Sequence, residues 1–338
     1  MAKPLREVWY AVLWSEDLTR SLNSRVVLNV PVLLFRKENG DPAALVDVCP
    51  HRAAPLSMGK LKGDAVECGY HGLVFDASGR CSANPHGGIP KAARVRSFPV
   101  LDRYGVIWIW TGNPEKADSN ALPDYSYLSD DKHRTLKGSL NIKASYEIVV
   151  DNLMDASHAQ YVHASFFKTE AAENVRQKTW RDENTVHNHY ITPSRSVPAS
   201  FAGFLPPEID VVDYYIEFRW DPPSLLRNST AIVAAGRPRE EAVEKIGTHL
   251  VTPETATSCH YLFAHSRKFA TADEAVDHNI SNWQKTGFQE QDEPMIEAVQ
   301  QVLTRFPELA PSPLLLSIDA GPVHVQRVLT ELRNREEP

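Results

Sequence analysis

Four side chains near the start of the chain are of types that hold metal. They come as two pairs on short stretches, Cys49-Pro50-His51 and Cys68-Gly69-Tyr70-His71, with sixteen residues between them. Each pair joins a soft thiolate to a borderline imidazole, a set that suits zinc, copper, iron or iron–sulfur centres. A structural zinc ion on two cysteines and two histidines is the plainest reading. Paired zinc ligands usually stand roughly two to four residues apart so that both reach one ion, and Cys-x-His is short for that. Neighbouring side chains on an extended stretch point to opposite sides. That suits two metals side by side, each loop giving its Cys to one and its His to the other.

A second group lies in Asp151-Asn152-Leu153-Met154-Asp155-Ala156-Ser157-His158-Ala159-Gln160-Tyr161-Val162-His163. His158 and His163 are five residues apart, which on a straight helix leaves roughly 140° between them. They converge only across a helix end or a π-bulge; the alternative is two packed or surface histidines. A carboxylate for the same ion has to come from elsewhere. Glu290-Gln291-Asp292-Glu293 offers three, although acidic runs are commonly solvated helix faces. Asp155 and Asn152 are of types that also favour first turns and caps of helices.

Cys49-Pro50-His51-Arg52, Ala54-Pro55-Leu56 and Cys68-Gly69-Tyr70-His71-Gly72 resemble the two cluster-binding loops of the Rieske oxygenases, whose centre has two histidines in place of two cysteines on one of its two irons. Asp151-Asn152-Leu153-Met154-Asp155, with His158 and His163 after it, is similar to the mononuclear-iron motif of the same family. Trp9-Tyr10, Val106–Trp110, Asp221-Pro222-Pro223-Ser224, Thr252–Thr255 and Ile318–Gly321 carry the resemblance along nearly the whole chain. The similar branch holds vanillate and dicamba O-demethylases and toluenesulfonate methyl-monooxygenase.

The resemblance implies a [2Fe-2S] Rieske cluster on Cys49, His51, Cys68 and His71. It also implies a mononuclear Fe(II) on His158, His163 and Asp292, a facial triad with positions open for dioxygen. In the family's pattern Asp155 links a cluster histidine of one subunit to an iron histidine of the next, and Asn152 sits beside the iron. Electrons come from NAD(P)H only indirectly, through a ferredoxin and/or flavin reductase. The implied assembly is a head-to-tail homotrimer, a closed heterologous ring.

Asn228, His249 and Trp283 match the branch's pocket-lining positions. Asn and His would donate to a carboxylate or phenolic oxygen, and Trp would be a flat apolar wall; ordinary core packing is the alternative for Trp283 and His249. The implied reaction is O-demethylation of a small methoxylated aromatic acid, giving a phenol and formaldehyde. Hydroxylation of an aryl methyl or N-alkyl group needs the same metal residues. An electron carrier, or a zinc-stapled ligand-binding protein, are the readings from other classes.

The elements that must position these residues are legible in outline. With 338 residues, 42% hydrophobic and 23% charged, the chain has room for two domains. A net charge of −7, with basic residues scattered, gives no reason to expect nucleic acid. No leader-like apolar core follows Met1 and no run is long enough for a bilayer, so a cytoplasmic location without a membrane is expected. Cys81 and Cys259 are expected as buried thiols, not a disulfide.

Short strands are expected over residues 7–110: Val26–Asn29, Val32–Phe35, Ala44–Val48, Val66–Cys68, Leu73–Phe75 and Val106–Trp110, with turns at Asn39-Gly40 and Asp76–Gly79. This is an all-β Rieske domain over 1–125. Residues 126–338 are expected as an α+β catalytic domain, an antiparallel sheet with a helix-grip arrangement. Its strands are Leu136–Ala144, Val186–Ile191, Tyr214–Trp220, Leu225–Ala235, His249–Thr252 and His260–His265. Its helices are Val149–Val162, Ala272–Val302 interrupted at Pro294, and Val323–Asn334. Pro198 and Phe201–Pro207, with Gly203, read as a lid.

Two-iron chemistry at the first site makes a direct prediction. Purified protein is expected to be red-brown and to give a low-temperature EPR signal on reduction, whereas colourless, zinc-loaded protein would contradict it.

Overall fold

Runs of β-branched and aromatic residues make the first part of the chain a set of short antiparallel strands. Trp9–Trp14, Val106–Trp110 and Val100–Arg103 form one sheet. Asn23–Val27, Val30–Arg36, Pro42–Val46 and Ser97–Phe98 form a second. Lys60–Lys62, Ala65–Glu67, Val74–Phe75 and Cys81–Ala83 form a third. The computed structural model describes residues 3–164, 175–198, 201, 204–309 and 314–336. Two units emerge from the chain's internal contacts: residues up to Asp124 with Thr252–Ala256, and Tyr125–Val251 with the remainder.

Within the first unit, Leu33, Phe35, Leu45, Leu56, Val66 and Phe75 pack together with Cys49 and Cys68. The two cysteine loops thus sit on the rim of an apolar core. Val106–Trp110 is buried at every position, so neither face of this strand is solvated. Trp9–Trp14 is equally buried and was not foreseen as a strand.

The second unit is built on one seven-stranded antiparallel sheet. Its spatial order is Arg134–Ile142, Ser258–Arg267, Val243–Thr255, Leu225–Ala234, Val211–Asp221, Thr185–Ser196, Arg176–Asp182. Arg176–Asp182 escaped the sequence reading because it is an edge strand rich in charge, which blunts an exposed edge but hides the apolar alternation.

Two helical segments depart from expectation, and both departures occur at residues that matter. The helix expected over Val149–Val162 is two, Tyr146–Met154 and Ala159–Val162. The first ends at Asp155, whose backbone is extended (φ −111°, ψ 113°). The second irregularity lies in the long helical run. It does not break at Pro294, which sits in the first turn of Glu293–Arg305. Instead Gln284–Asp292 is π-helical, joining Glu274–Trp283 to that helix. Glu293 donates its N–H to Phe288, five residues back. Pro294 has no N–H to complete the α-helical ladder, and the wider turn before it takes up the mismatch.

This run is pinned at both ends, to the sheet at its start and to a helix further along. Arg134 and Arg267 are cross-strand partners, and both bond to Asp277, at 2.8 Å from Arg134 Nε and 2.5 Å from Arg267. Further along, Gln300 Oε1 accepts the Ser145 N–H at 2.8 Å, tying Glu293–Arg305 to the start of Tyr146–Met154.

Phe201, expected in a lid, is fully buried against Val212, Tyr214 and Ile232. It is a core residue, and Gly203 lies outside the described residues. Cys259 is a buried thiol outside any disulfide, whereas Cys81 is only half-buried, with its sulfur 3.3 Å from the Ala83 carbonyl. Among the described residues no helix is long and apolar enough to cross a membrane.

Tyr146–Met154 also packs on the last helix, Ala320–Glu336. Gln326 donates to Asp151 Oδ1 at 3.4 Å, and Arg333 bonds Glu147 at 2.5 Å. Burial pushes the Asp151 carboxyl up to about 7 against the Gln326 bond, with Glu147 and Asp319 adding to the rise. The unfolded chain releases this proton near the ordinary 3.8. The native state therefore holds the extra proton between the two values, and stability falls as pH rises through that window. Asp151→Asn is expected to gain stability over the parent between about pH 5 and pH 8, by on the order of 2 kcal/mol, read from melting temperatures. A gain independent of pH would contradict this.

Candidate metal centres

The two cysteine loops differ in sequence but share one backbone plan. Ala53 N–H donates to the Cys49 carbonyl and Cys49 N–H to the Ala54 carbonyl, both at 2.9 Å. Gly72 N–H donates to the Cys68 carbonyl at 3.0 Å and Cys68 N–H to the Leu73 carbonyl at 2.8 Å. The residue four past each cysteine is left-handed, Ala53 at φ 54° and Gly72 at φ 73°, where glycine is the easy choice. Each loop therefore curls so that its cysteine faces the core and its histidine does not.

Cys49 and Cys68 are each 2% exposed, while His51 is exposed and His71 half-buried. Burial pushes the Cys49 thiol up, and the neighbouring Cys68 adds to the rise. The His51 and His71 rings lie 4.5 Å apart, edge to face. His86 Nε2 is 3.0 Å from the His71 carbonyl.

Among the described residues, three ligand atoms within 4.8 Å of one another occur only at His158, His163 and Asp292. The four side chains of the two cysteine loops therefore do not close on one point, as a tetrahedral zinc site would. Thiols meet within and imidazoles meet outside. That donor set fits a two-iron cluster with its sulfur-ligated iron inward and its nitrogen-ligated iron at the surface.

At the second site the helix break explains the histidine pair. His158 precedes and His163 follows the single turn Ala159–Val162. Placed at the two ends of so short a helix, they converge, with ring centroids 5.2 Å apart. The π-helical element lies elsewhere, on the segment that brings Asp292. Asp292 Oδ1 is 3.2 Å from His163 Nε2 and 3.6 Å from His158 Nε2. Ligands about 2.1 Å from one ion and at right angles would be about 3 Å apart.

The far ring nitrogens are fixed. His158 Nδ1 lies 2.6 Å from the Asp155 carbonyl, and His163 Nδ1 lies 2.7 Å from Gln291 Oε1. Both Nδ1 atoms are donors to these oxygens, so both Nε2 lone pairs face the carboxylate. Three acceptors turned on one another need a cation between them, and the set fits a divalent transition metal. Burial lowers the proton affinity of His163, and Asp292 and Gln291 together raise it by more. Asn152 Nδ2 reaches Asp292 Oδ1 at 3.5 Å. The Asp155 side chain accepts from Ser157 N–H at 2.7 Å and Ser157 Oγ at 2.8 Å. Glu290, the rival carboxylate, is exposed and pairs with Lys285 at 3.3 Å; Glu293 is half-buried and has no part in the convergent set.

An aromatic path leads from this site to the sheet. The Trp283 ring is 5.0 Å from His163 and 6.0 Å from Phe288. Phe288 lies 5.6 Å from His249, 6.0 Å from Tyr261 and 5.9 Å from His265. His249 is engaged on both nitrogens, with Nε2 2.9 Å from Asn228 Oδ1 and Nδ1 2.6 Å from the Tyr261 hydroxyl. Burial, with His265 next, lowers the His249 imidazole to about 3, so it is neutral.

Sequence reasoning missed Gln291, Phe288 and Tyr261 at this site. Gln291 stands beside Asp292 and could have been found there. Tyr261 was hidden in an apolar strand.

Two family profiles match the chain: "Rieske [2Fe-2S] domain" over residues 8–99 and "Vanillate O-demethylase oxygenase C-terminal domain" over residues 142–335. The oxygenase component of dicamba O-demethylase from Stenotrophomonas maltophilia is 36% identical, over 98% of each chain. The oxygenase component of chloroacetanilide N-alkylformylase from Rhizorhabdus wittichii is 36% identical, over 96% of this chain and 94% of its own. A crystal structure of dicamba monooxygenase bound to 3,6-dichlorosalicylic acid superposes with a TM-score of 0.94, at 36% identity over 99% of both chains. Dicamba monooxygenase with non-haem iron and dicamba superposes with a TM-score of 0.87, at 34% identity over 99% of both.

Asp292→Asn keeps the shape of the third ligand and removes its charge. Metal held at the second site is expected to fall at least tenfold while the visible absorption of the first centre is unchanged, as measured by metal analysis beside the spectrum. Undiminished metal would exclude Asp292 as a ligand.

Proposed function

The chain belongs to the Rieske non-haem iron oxygenases of the vanillate and dicamba O-demethylase branch, and from that premise we propose that it is an oxygenase component removing the methyl group of a methoxylated aromatic acid. Residues 1–125 are the Rieske domain, with the [2Fe-2S] cluster on Cys49, His51, Cys68 and His71. Residues 126–338 are the catalytic domain, with Fe(II) on His158, His163 and Asp292. When bound, the cluster supplies single electrons and the iron supplies activation of dioxygen.

The remaining work belongs to the chain's own residues. The Asp155 carbonyl and Gln291 hold the two imidazoles in the tautomer that offers Nε2. Asn152 Nδ2 steadies the same Asp292 oxygen. Trp283 and Phe288 form an apolar wall that keeps water from the reacting methyl group. Asn228, backed by His249, holds the acid group away from the metal, so that the ether is the end presented to it.

The reaction balances as aryl methyl ether, dioxygen, two electrons and two protons going to phenol, formaldehyde and water. One oxygen atom enters a methyl C–H bond, and the resulting hemiacetal releases formaldehyde. The electrons derive from NAD(P)H through a flavin reductase and/or a ferredoxin. A cytoplasmic head-to-tail homotrimer completes the reading, with Asp155 linking the neighbour's cluster histidine to His158. Exposed Tyr70, its ring 4.0 Å from that of His71, supports a face that meets another chain.

The observation that carries the proposal is the convergence of His158, His163 and Asp292 at the end of an aromatic path. The similarity to a chloroacetanilide N-alkylformylase favours a second reading, oxidation of an N-alkyl group. A coupled assay with a ferredoxin and flavin reductase, scoring formaldehyde from methoxybenzoates and aldehyde from N-alkylanilines, separates the two. Formaldehyde from a methoxybenzoate, dependent on oxygen and NAD(P)H, is expected; aldehyde from the anilines alone would replace the first reading by the second.

A further inference from the structure

The catalytic sheet presents a further imidazole beside Phe288, and we infer that His265 is a second specificity residue, whose Nε2–H takes a second anionic oxygen group of the substrate. The inference rests on the reading of this site as the pocket of a methoxyaryl demethylase, and adds to it a point of recognition apart from Asn228 and His249.

His265 lies on Ser258–Arg267, opposite Leu136 of the neighbouring strand. Its ring stacks on Phe288, with centroids 5.9 Å apart and planes at 8°. His249 meets the same phenylalanine edge to face, at 5.6 Å and 78°. Two imidazoles thus border one aromatic wall. Every residue of Ser258–Arg267 is buried except His265, which keeps accessible surface. Burial nonetheless lowers its imidazole to about 3, with the Lys245 ammonium adding to the fall. Surface that is accessible but poorly hydrated belongs to an interior space, not to the outside of the protein. Among the described residues no group bonds His265 Nε2. The buried polar atoms left without a partner are on Trp220, Arg239 and Arg267 and not on His265, so Nε2 opens on that space.

The proton on this ring is fixed from behind. Gln284 is buried and opens the π-helical run that ends at Asp292. Its Nε2 donates to the Leu136 carbonyl at 3.0 Å and lies 3.2 Å from His265 Nδ1. The carbonyl only accepts, so the amide cannot be turned round without setting oxygen against oxygen. An NH₂ group has two hydrogens and accepts none, so its second hydrogen goes to Nδ1. A neutral imidazole has one N–H, and with Nδ1 accepting it is on Nε2. His265 therefore offers the interior a donor and nothing else.

Charge decides which acceptor suits it. Lys245 and His249 are four apart on Val243–Thr255 and share a face of that strand. The Lys245 ammonium sits 3.9 Å over the Phe201 ring. Burial and the Arg267 guanidinium lower it to about 8, which leaves it charged at neutral pH. Arg267 is buried and bonds Asp277, which is shared with Arg134; its Nε and Nη1 have no partner. One carboxylate thus serves two guanidiniums beside an ammonium. A donor in that field favours a negative acceptor, a charge-assisted bond roughly twice as strong as a neutral one. The substrate class that uses both points of recognition is a methoxylated aromatic diacid.

Holoenzyme without reductant binds substrate without turning it over, so affinity is read by titration calorimetry. The probes are methoxybenzoates and the positional isomers of methoxybenzenedicarboxylate. The wild type is expected to bind its best diacid about tenfold or more tighter than the parent monoacid. His265→Phe keeps a flat ring on Phe288 and removes the donor. It is expected to abolish that preference while the monoacid Kd changes less than about twofold. Lys245→Met is expected to reduce the preference about threefold or more. A wild type that binds every diacid no tighter than its monoacid overturns the inference. So does a His265→Phe variant that keeps the preference, or one that weakens both ligands equally, the mark of a structural role. Should His265→Phe fail to fold, as its melting curve would tell, Lys245→Met decides, and an unchanged preference there overturns the inference. A diacid that binds selectively but releases no formaldehyde in the coupled assay refutes the demethylase reading and leaves the subsite upheld.

Discussion

One carboxylate oxygen organises the second unit. Asp292 Oδ1 faces two imidazole nitrogens and an asparagine amide within 3.6 Å, in a residue only 6% exposed. A buried carboxylate against two lone pairs is costly unless a positive charge lies between them. The surrounding structure keeps the three from moving apart. The π-helical run sets Gln291 and Asp292 to serve opposite nitrogens of one ring. The Asp277 ion pairs hold the start of that helical run to the sheet, and the extended Asp155 turns His158 inward.

The two centres illustrate two ways of assembling a donor set. In the first, short loops repeat one hydrogen-bonding plan, and the backbone alone separates inward sulfur from outward nitrogen. In the second, ligands from a helix break and a distant π-helical segment meet through tertiary packing. The first arrangement is local and rigid by construction. The second depends on the sheet, on Gln300 capping Ser145, and on aromatic contacts that run from Trp283 to His249.

That contrast also explains what the sequence disclosed. The loop residues Cys49, His51, Cys68 and His71 are contiguous enough to be recognised by type and spacing. The strand Val106–Trp110 was readable to the residue. His158 and His163 were visible as a pair, but their convergence was not, because an Asp-Ala-Ser-His break reads as continuing helix by hydrophobic pattern. Asp292 could be chosen among three acids only by resemblance, since burial separates it from Glu290 and burial is a property of the packed chain. The edge strand Arg176–Asp182 carries charge where a pattern looks for apolar residues. The Tyr261–His249–Asn228 line crosses three strands whose register no local signal sets.

The turn at Leu28 and Asn29 carries a further consequence. Both residues have positive φ, 53° and 60°, a conformation uncomfortable for leucine. Their N–H groups donate at 2.9 Å to the carbonyls of Pro253 and Glu254, and Thr252 Oγ1 donates to the Ala11 carbonyl at 2.5 Å. The first unit therefore borrows its last piece from a segment made much later. During synthesis on the ribosome its amino-terminal strands emerge long before Thr252–Ala256, and must wait for that segment before the turn is fully satisfied. Maturation of the two units is thus coupled in time, and a fragment cut after Asp124 would lack partners that no solvent molecule orders in the same way.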